Sequence, residues 1–507
     1  MLKTRAIFFS ARRSNGNFVQ SMGLWERTAV QEYAKRSALV ADENTQLTYD
    51  QLNNRIGQYA SLLSSKYRIQ KGDRLLSRTT KTLDTAALYF ATLRLGAIYI
   101  PLNPGYTTKE TKHFVNDGEP KIMVTCEPTG DQEFVGTIGH VVDENILAKE
   151  ANKEQPILEC ENVSNDEIAT ILYTSGTTGL PKGAMLTHGN LTSNSEVLAD
   201  IWHFTKNDVL SHLLPFYHIH GMIVCMGATL ASKSTQIFRP KFELHDALKW
   251  MPKSTVFIGV PTFYTRLMSD TEAFNRDAFK NIRVFICGSA PLTAAVWESF
   301  RKHTGQPILE RYGMSETLVS ISNPYEPTKR IPGSVGIPVP GTNVRLGPNN
   351  VIEVKGPSVF KGYWKLPEKT KKEFTNDGYF QTGDVGEVDE NGYYKIMARE
   401  KDMIISGGFN VYPKEVEDTI DALDLVKEVA IIGVPHPDFG EAVVAVCIPK
   451  TGKTSDDLAV KLKSEVKSRL ANYKRPKKYL FVEDYPRNFI GKVQKNKLRD
   501  QYKNLFA

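Results

Sequence analysis

The sequence predicts an α/β protein on three observations. Helix and strand patterns alternate between Leu47 and Phe285. Short strands with glycine turns replace that alternation from about Gly333. A last segment after Lys401 mixes both patterns. The chain has 507 residues and 41% apolar composition, too much for one core and closer to about three structural units.

In chain order, apolar residues recur at helical spacing over 49–64 and 82–95. A short strand at 74–76 lies between them, and a second strand at 97–100 is stopped by Pro101 and Pro104. Strand-like runs then return at 169–173, 209–214, 234–238, 255–259 and 283–287. Strands separated by helix-length segments predict parallel α/β layers, because a parallel pair needs a long crossover. The run 351–355 and the Asn391-Gly392 turn predict a small β-rich subdomain. The segment beyond Lys401 is too short for a doubly wound sheet of its own and reads as compact α+β. The longest nearly uninterrupted apolar run, 221–231, is far below the ~20 residues a membrane helix needs, so a membrane span is excluded.

The formal charge of +7 suggests nucleic acid until it is divided along the chain. Residues 1–25 contribute +4 through Lys3, Arg5, Arg12 and Arg13, residues 26–399 are neutral, and residues 400–507 contribute +3. A neutral middle excludes a broad phosphate-backbone footprint. The C-terminal excess around Lys474, Arg475, Lys477 and Lys478 reads either as a solvated face or as attraction for a polyanionic small molecule. The five cysteines are never within 30 positions of one another, which excludes CxxC metal or redox pairs and points to a reducing compartment. The first residues are rich in Arg and Ser and lack acids, so a mitochondrial presequence is expected over 1–23, with delivery to the matrix. Met22, just before Trp25-Glu26, offers the alternative of a cytoplasmic form started there.

The most informative stretch is 171–185, Ile-Leu-Tyr-Thr-Ser-Gly-Thr-Thr-Gly-Leu-Pro-Lys-Gly-Ala-Met. A buried strand runs into Thr, Ser and Gly residues and then Lys182, supplying backbone N–H groups, hydroxyls and a cation for an anion. It is not a Walker A loop, since Pro181 stands where the second glycine belongs and neither Ser nor Thr follows Lys182. A nucleotide-phosphate loop is expected here in preference to a plain polar turn between strand and helix.

This loop resembles the phosphate motif of the adenylate-forming superfamily of acyl-CoA synthetases, luciferases and peptide-synthetase adenylation domains. The superfamily's other motifs follow in order: Arg311-Tyr-Gly-Met-Ser-Glu-Thr317, Thr382-Gly-Asp384, Arg399-Glu-Lys-Asp402 through Gly408, and Gly491-Lys-Val-Gln-Lys495. Within it, the segments around His218 and His220, Arg266, Leu309–Met314 and Gly408–Lys414 resemble malonyl-CoA synthetases. The resemblance runs from about residue 24 to 503. It implies an N-terminal domain over 24–399 with the β-rich part at 333–399, and a small mobile cap over 400–507.

What the resemblance implies for the site is specific. Thr174, Ser175, Gly176, Thr177, Thr178, Gly179 and Lys182 would hold the ATP phosphates. Gly288, Ser289 and Ala290, with Glu310, Arg311, Tyr312, Gly313, Met314 and Ser315, would line the nucleotide site. Glu316 would direct Mg²⁺, a hard ion suited to one carboxylate plus phosphate oxygens. Asp384 and Arg399 would fix the ribose, and Lys492 would bridge carboxylate and α-phosphate. Lys401 would be the hinge, and Ser406, Gly407 and Gly408 would admit the pantetheine arm of CoA. Lys492, Glu316, His218 and Lys182 form the expected catalytic set.

Arg266, Arg311, His218 and Ser289 are the expected acid-binding residues, because a dicarboxylate needs a cation for its second carboxylate. Arg266, within an apolar Pro-Thr-Phe-Tyr segment, is the natural candidate; Arg311 could do this or cap the adenine pocket. The implied partners are ATP, CoA and malonate or methylmalonate, with Mg²⁺ as cofactor and no nucleic acid. One departure is the abrupt segment 344–351, where related chains carry a longer insertion; it is expected to weaken the β-rich part. The rival readings are a synthetase for a medium-chain or aromatic acid, a peptide-synthetase adenylation domain, and a non-catalytic nucleotide-binding protein.

Overall fold

The computed structural model describes residues 16–23, 33–174, 181–450, 455–487 and 492–506. The chain packs as two units, 1–241 with 357–370, and 242–356 with 371–507.

In the first unit, the helices Tyr49–Ser65 and Leu83–Arg94 each start at a threonine. Thr48 accepts from the Gln51 amide within a capping box, and Thr82 accepts from the Thr85 amide. The strands Arg74–Arg78, Ile98–Pro101, Ile122–Thr125 and His140–Asp143 are parallel neighbours, as the spacing predicts. They belong to a seven-stranded sheet that continues through Ile168–Thr174 and Lys182–Thr187 to the short strand Gly362–Tyr363. Ile168–Thr174 runs antiparallel to Lys182–Thr187, so the glycine-rich loop closes a hairpin instead of leading straight into a helix. That strand escapes the sequence reading because the adjacent small residues Gly183 and Ala184 and the buried run on both faces leave no apolar alternation. Gly183 is needed there, since a Cβ would lie 2.6 Å from Ile171 Cγ2.

The remaining first-unit strands, Ser37–Val40, Gln46–Thr48, Val209–His212 and Thr235–Phe238, pair with one another. The apolar run 221–231 falls in a π-helical turn, His220–Cys225, that continues as the helix Met226–Ser232. Gly221 permits that turn, because a Cβ would lie 2.1 Å from the Pro215 carbonyl oxygen. No helix among the described residues is long and apolar enough to cross a membrane.

The segment 16–23, counted above as part of a presequence, is built into this unit. Asn17 is fully buried, and its Nδ2 donates to the Leu93 carbonyl at 2.5 Å. Phe18 stacks on Phe90, Val19 and Met22 are buried, and the Phe18 amide donates to His188 Nδ1 at 3.1 Å. Burial lowers the His188 pKa to about 4, which keeps the ring neutral and able to accept that bond. A histidine with a lowered folded-state pKa loses stability as pH falls, since the unfolded chain takes up a proton the native chain does not. Thermal stability is therefore expected to fall from about pH 6.5 to about pH 4, by up to about 3 kcal/mol, and less steeply in His188→Gln; melting curves across that range check it.

In the second unit, Val256–Gly259, Val284–Cys287 and Leu309–Met314 are parallel, and Leu318–Ser322 and Ile337–Pro338 extend the sheet antiparallel. The β-rich part is a four-stranded sheet of Asn343–Leu346, Val351–Lys355, Phe380–Val388 and Tyr394–Arg399. The abrupt segment is a closed hairpin turn. The Gly347 amide donates to the Val351 carbonyl at 2.8 Å, and Asn349 and Asn350 take left-handed φ of 56° and 58°. Arg345 ties this hairpin to Glu353 and Asp377, each at 2.6 Å. The turn is thus made of residues suited to it.

The C-terminal α+β segment centres on the antiparallel pair Val426–His436 and Gly440–Pro449, with Lys478–Phe481 added in parallel. Val416 and Ile420 of the helix Pro413–Asp421 and Leu458 and Leu462 of Ser455–Lys467 share one apolar cluster. Leu498, from Lys495–Tyr502, joins a second cluster with Ile432 and Val444. The α/β class with a small C-terminal domain is what the sequence predicts.

Candidate active site

In the first unit, Thr174 and Lys182 are cross-strand partners at the base of the glycine-rich loop. Ser175, Gly176, Thr177, Thr178 and Gly179 lie outside the described residues. The strand end is anchored because the Tyr173 hydroxyl donates to Asp117 Oδ2 at 2.6 Å. Lys182 Nζ stands 4.0 Å from the centroid of the Tyr363 ring.

His218 is half-buried just before the π-helical turn. Its Nδ1 accepts from the His220 amide at 3.3 Å, and its carbonyl accepts from the Met222 amide at 2.9 Å. Behind it, Lys81 Nζ donates to the carbonyls of His212 and Leu214 at 2.8 and 2.9 Å, fixing the strand that leads to His218. Neither Lys81 nor Tyr363 stands out in sequence, since each matters only through strands brought together from distant positions.

In the second unit, Arg311 is 2% exposed on Leu309–Met314, and its Nε would lie 2.5 Å from a Cβ placed on Gly288. Gly288 is thus the floor on which the guanidinium rests. Ser289, with φ 69°, and Ala290 follow directly and are half-buried. Glu310 is buried, and burial pushes its pKa up to about 8, against a donated Leu292 amide bond and the charge of Lys414. At neutral pH it is mostly a neutral acid.

Tyr312, Asp384 and Arg399 meet. The Tyr312 hydroxyl donates to Asp384 Oδ2 at 2.6 Å, and Arg399 Nε lies 2.7 Å from Asp384 Oδ1. Asp384 and Arg399 are register partners in neighbouring strands. Burial and then the Asp384 charge hold the Tyr312 hydroxyl protonated, while Asp384 foremost holds Arg399 charged. Glu316 is 4% exposed in the turn after Met314 and Ser315, close enough to add to the Arg399 charge balance. Gly313 is obligatory there, because a Cβ would lie 1.8 Å from the Leu318 carbonyl oxygen.

Among the described residues no group of three or more metal-ligating side chains occurs. A single buried carboxylate such as Glu316 fits an ion held mainly by phosphate oxygens, as Mg²⁺ is.

Arg266 is in the last turn of the helix Pro261–Met268 and is exposed. The Lys401 side chain lies outside the described residues, between Arg399 and Asp402. Ser406 is buried, and Gly407 and Gly408 turn the chain with φ of 60° and 82°. Among the described residues, none beyond its two chain neighbours has an atom within 4 Å of a Cβ placed on Gly408. Lys492 is half-buried, beside the Arg487–Val493 bridge and ahead of a helix whose Lys495 pairs with Glu417 at 2.5 Å.

A hydroxyl-rich loop base with a lysine, and a buried carboxylate–arginine–tyrosine cluster, are parts suited to holding a nucleotide. The chain belongs to the AMP-binding enzyme family, which matches residues 25–364, and its C-terminal domain matches 415–492. It is similar to the mitochondrial malonate–CoA ligase ACSF3 of Mus musculus, with 33% identity over 80% of this chain and 78% of that one. The long-chain-fatty-acid–CoA ligase of Bacillus subtilis is 31% identical over 85% of this chain and 86% of its own. Its fold matches ATP-bound MatB from Rhodopseudomonas palustris with a TM-score of 0.92 and 42% identity, covering 97% of this chain and 100% of that one.

Proposed function

We propose that this protein ligates malonate to coenzyme A through a malonyl-adenylate, releasing pyrophosphate and then AMP; methylmalonate is the related acid it would accept. The observation that supports adenylate chemistry is the Tyr312–Asp384–Arg399 cluster, which offers a fixed carboxylate to a ribose. Likeness to a malonate–CoA ligase supports the acid.

In the first half-reaction a malonate carboxylate oxygen attacks the α-phosphorus, and the bond to pyrophosphate breaks. Two anions must approach, so positive charge and N–H donors lower the barrier. Lys182 with the 174–179 loop neutralises the outer phosphates, and Lys492 holds the attacking carboxylate against the α-phosphate. Glu316 would hold Mg²⁺, which supplies charge neutralisation on the phosphates when bound. Arg266 and Arg311 are the cations offered to the distal carboxylate, with His218 and Ser289 beside the acid. In the second half-reaction the CoA sulfur attacks the acyl carbon and AMP leaves. Rotation about Lys401 would bring Ser406, Gly407 and Gly408 in place of Lys492, the absent side chains of the two glycines admitting the pantetheine arm. The basic residues Lys474, Arg475, Lys477 and Lys478 would draw the polyanionic end of CoA.

Mitochondrial delivery is part of the same reading, supported by the basic, acid-free first residues and by likeness to the mitochondrial mouse relative. Cleavage would fall before Asn17, since Asn17, Phe18, Val19 and Met22 are buried in the first unit; a chain started at Met22 would lack the first three.

The test is a product balance with purified protein, ATP, Mg²⁺, CoA and malonate. Malonyl-CoA, AMP and pyrophosphate are expected in equal amounts. ADP in place of AMP, or a thioester formed from octanoate and not malonate, would refute the reading.

A further inference from the structure

We infer that Tyr363 is the positioning residue for Lys182, holding its ammonium by a cation–π contact so that it faces the phosphates of the bound nucleotide. This rests on the phosphate-binding role proposed above for Lys182.

Lys182 opens the second strand of the hairpin and is paired across it with Thr174, so its backbone is fixed at the mouth of the loop. A lysine side chain has four rotatable bonds, so a fixed backbone alone does not place its ammonium. The structure supplies a ring. Lys182 Nζ lies 4.0 Å from the Tyr363 ring centroid, within the ~6 Å at which an ammonium is attracted by an aromatic face.

The ring itself is locked from several sides. Tyr363 is only 3% exposed, and it makes an edge contact with Phe360 at 4.9 Å between centroids. Its amide donates to Thr370 Oγ1 at 2.9 Å, and its backbone is the register partner of Ala184. Gly362 before it has φ 137°, and a Cβ there would lie 2.6 Å from Thr370 Cγ2, so the chain can enter this position only as glycine. The Trp364 amide closes the contact on the Gly183 carbonyl at 2.8 Å. A segment about 180 residues downstream of the loop is thus bolted onto the strand that carries Lys182.

An aromatic face suits this task better than a carboxylate. A carboxylate would neutralise the ammonium and compete with phosphate for its N–H donors, whereas a ring attracts the charge and leaves that charge in place. The contact contributes most when water is excluded, as when a triphosphate covers the loop.

The test varies the ring's electrostatics at constant shape. Full-length protein would carry phenylalanine, or 4-fluoro-, 3,5-difluoro- or 3,4,5-trifluorophenylalanine, at position 363, beside Tyr363→Leu. ATP affinity would be read by calorimetry and protein integrity by the melting midpoint. Phenylalanine is expected to retain affinity, and successive fluorines to weaken it stepwise to about tenfold, with Tyr363→Leu similar to the trifluoro form. Melting midpoints of the fluorinated series should stay together, and KM for the acid should not move, which a merely structural role would not produce. ATP affinity that is flat across the series, or unchanged in Tyr363→Leu, would overturn the assignment. Calorimetry needs no acid, so a protein that binds ATP with the predicted slope but does not activate malonate would refute only the malonate reading. A wild-type protein that binds no ATP would overturn both.

Discussion

Replacing Lys492 by methionine is expected to slow adenylate formation by about two to three orders of magnitude while leaving thioester formation from preformed malonyl-adenylate within a few-fold of wild type. The reason lies in where charge builds up. When a carboxylate attacks the α-phosphorus, both partners are anionic, and one fixed ammonium shared between them is worth most at that moment. Attack of a thiol on an acyl-adenylate brings no second carboxylate and has no need of that ammonium. Lys492 is half-buried, flanked by the Arg487–Val493 bridge and the Lys495–Glu417 pair. Single-turnover measurements of the two half-reactions separate the effects. Equal losses in both would mean that Lys492 supports the fold or the nucleotide and not the first chemical step.

Arg311→Met is expected to lower kcat/KM for malonate by about two to three orders of magnitude, and Arg266→Met by about tenfold or less. The two arginines differ in solvent exposure. Arg311 is 2% exposed and lies against Gly288, so a charge pair formed there is weakly screened and leaves a desolvated carboxylate unpaired when broken. Arg266 is exposed at a helix end, where water competes for it. Because Arg311→Met alters a buried site, the decisive readout is the ratio of malonate to butyrate turnover. That ratio should fall steeply in Arg311→Met, since butyrate lacks the second carboxylate. A steeper fall in Arg266→Met would assign the distal carboxylate to Arg266, and an unchanged ratio in both would refute dicarboxylate recognition by either.

Much of this site is legible in short motifs because neighbours in sequence stay neighbours in a strand or turn. Asp384 and Arg399 lie 15 positions apart and are joined by a hairpin whose Asn391-Gly392 turn is readable, so their pairing follows. The Tyr312 hydroxyl on Asp384 spans 72 positions and depends on how two sheets of the second unit meet, which no local pattern encodes. Tyr363 under Lys182 is hidden because its short strand joins the strand of Lys182 from about 180 positions downstream. The strand Lys182–Thr187 is missed because Gly183 packs where a Cβ would collide with Ile171 and both faces of the strand are buried, so no apolar alternation appears. Residues 17–22 read as part of a leader by composition, yet Phe18, Val19 and Met22 are core residues. Charge composition says nothing of packing a few positions further on.

Activation of a dicarboxylate at the α-phosphate of ATP is the first chemical step of the proposed reaction, and ATP–pyrophosphate exchange measures that step directly. Exchange by the wild-type protein is predicted with malonate, more weakly with methylmalonate, and negligibly with acetate and octanoate, with thioester appearing only when CoA is added. Exchange driven by octanoate and not by malonate would contradict the account, and so would malonate turnover without any exchange.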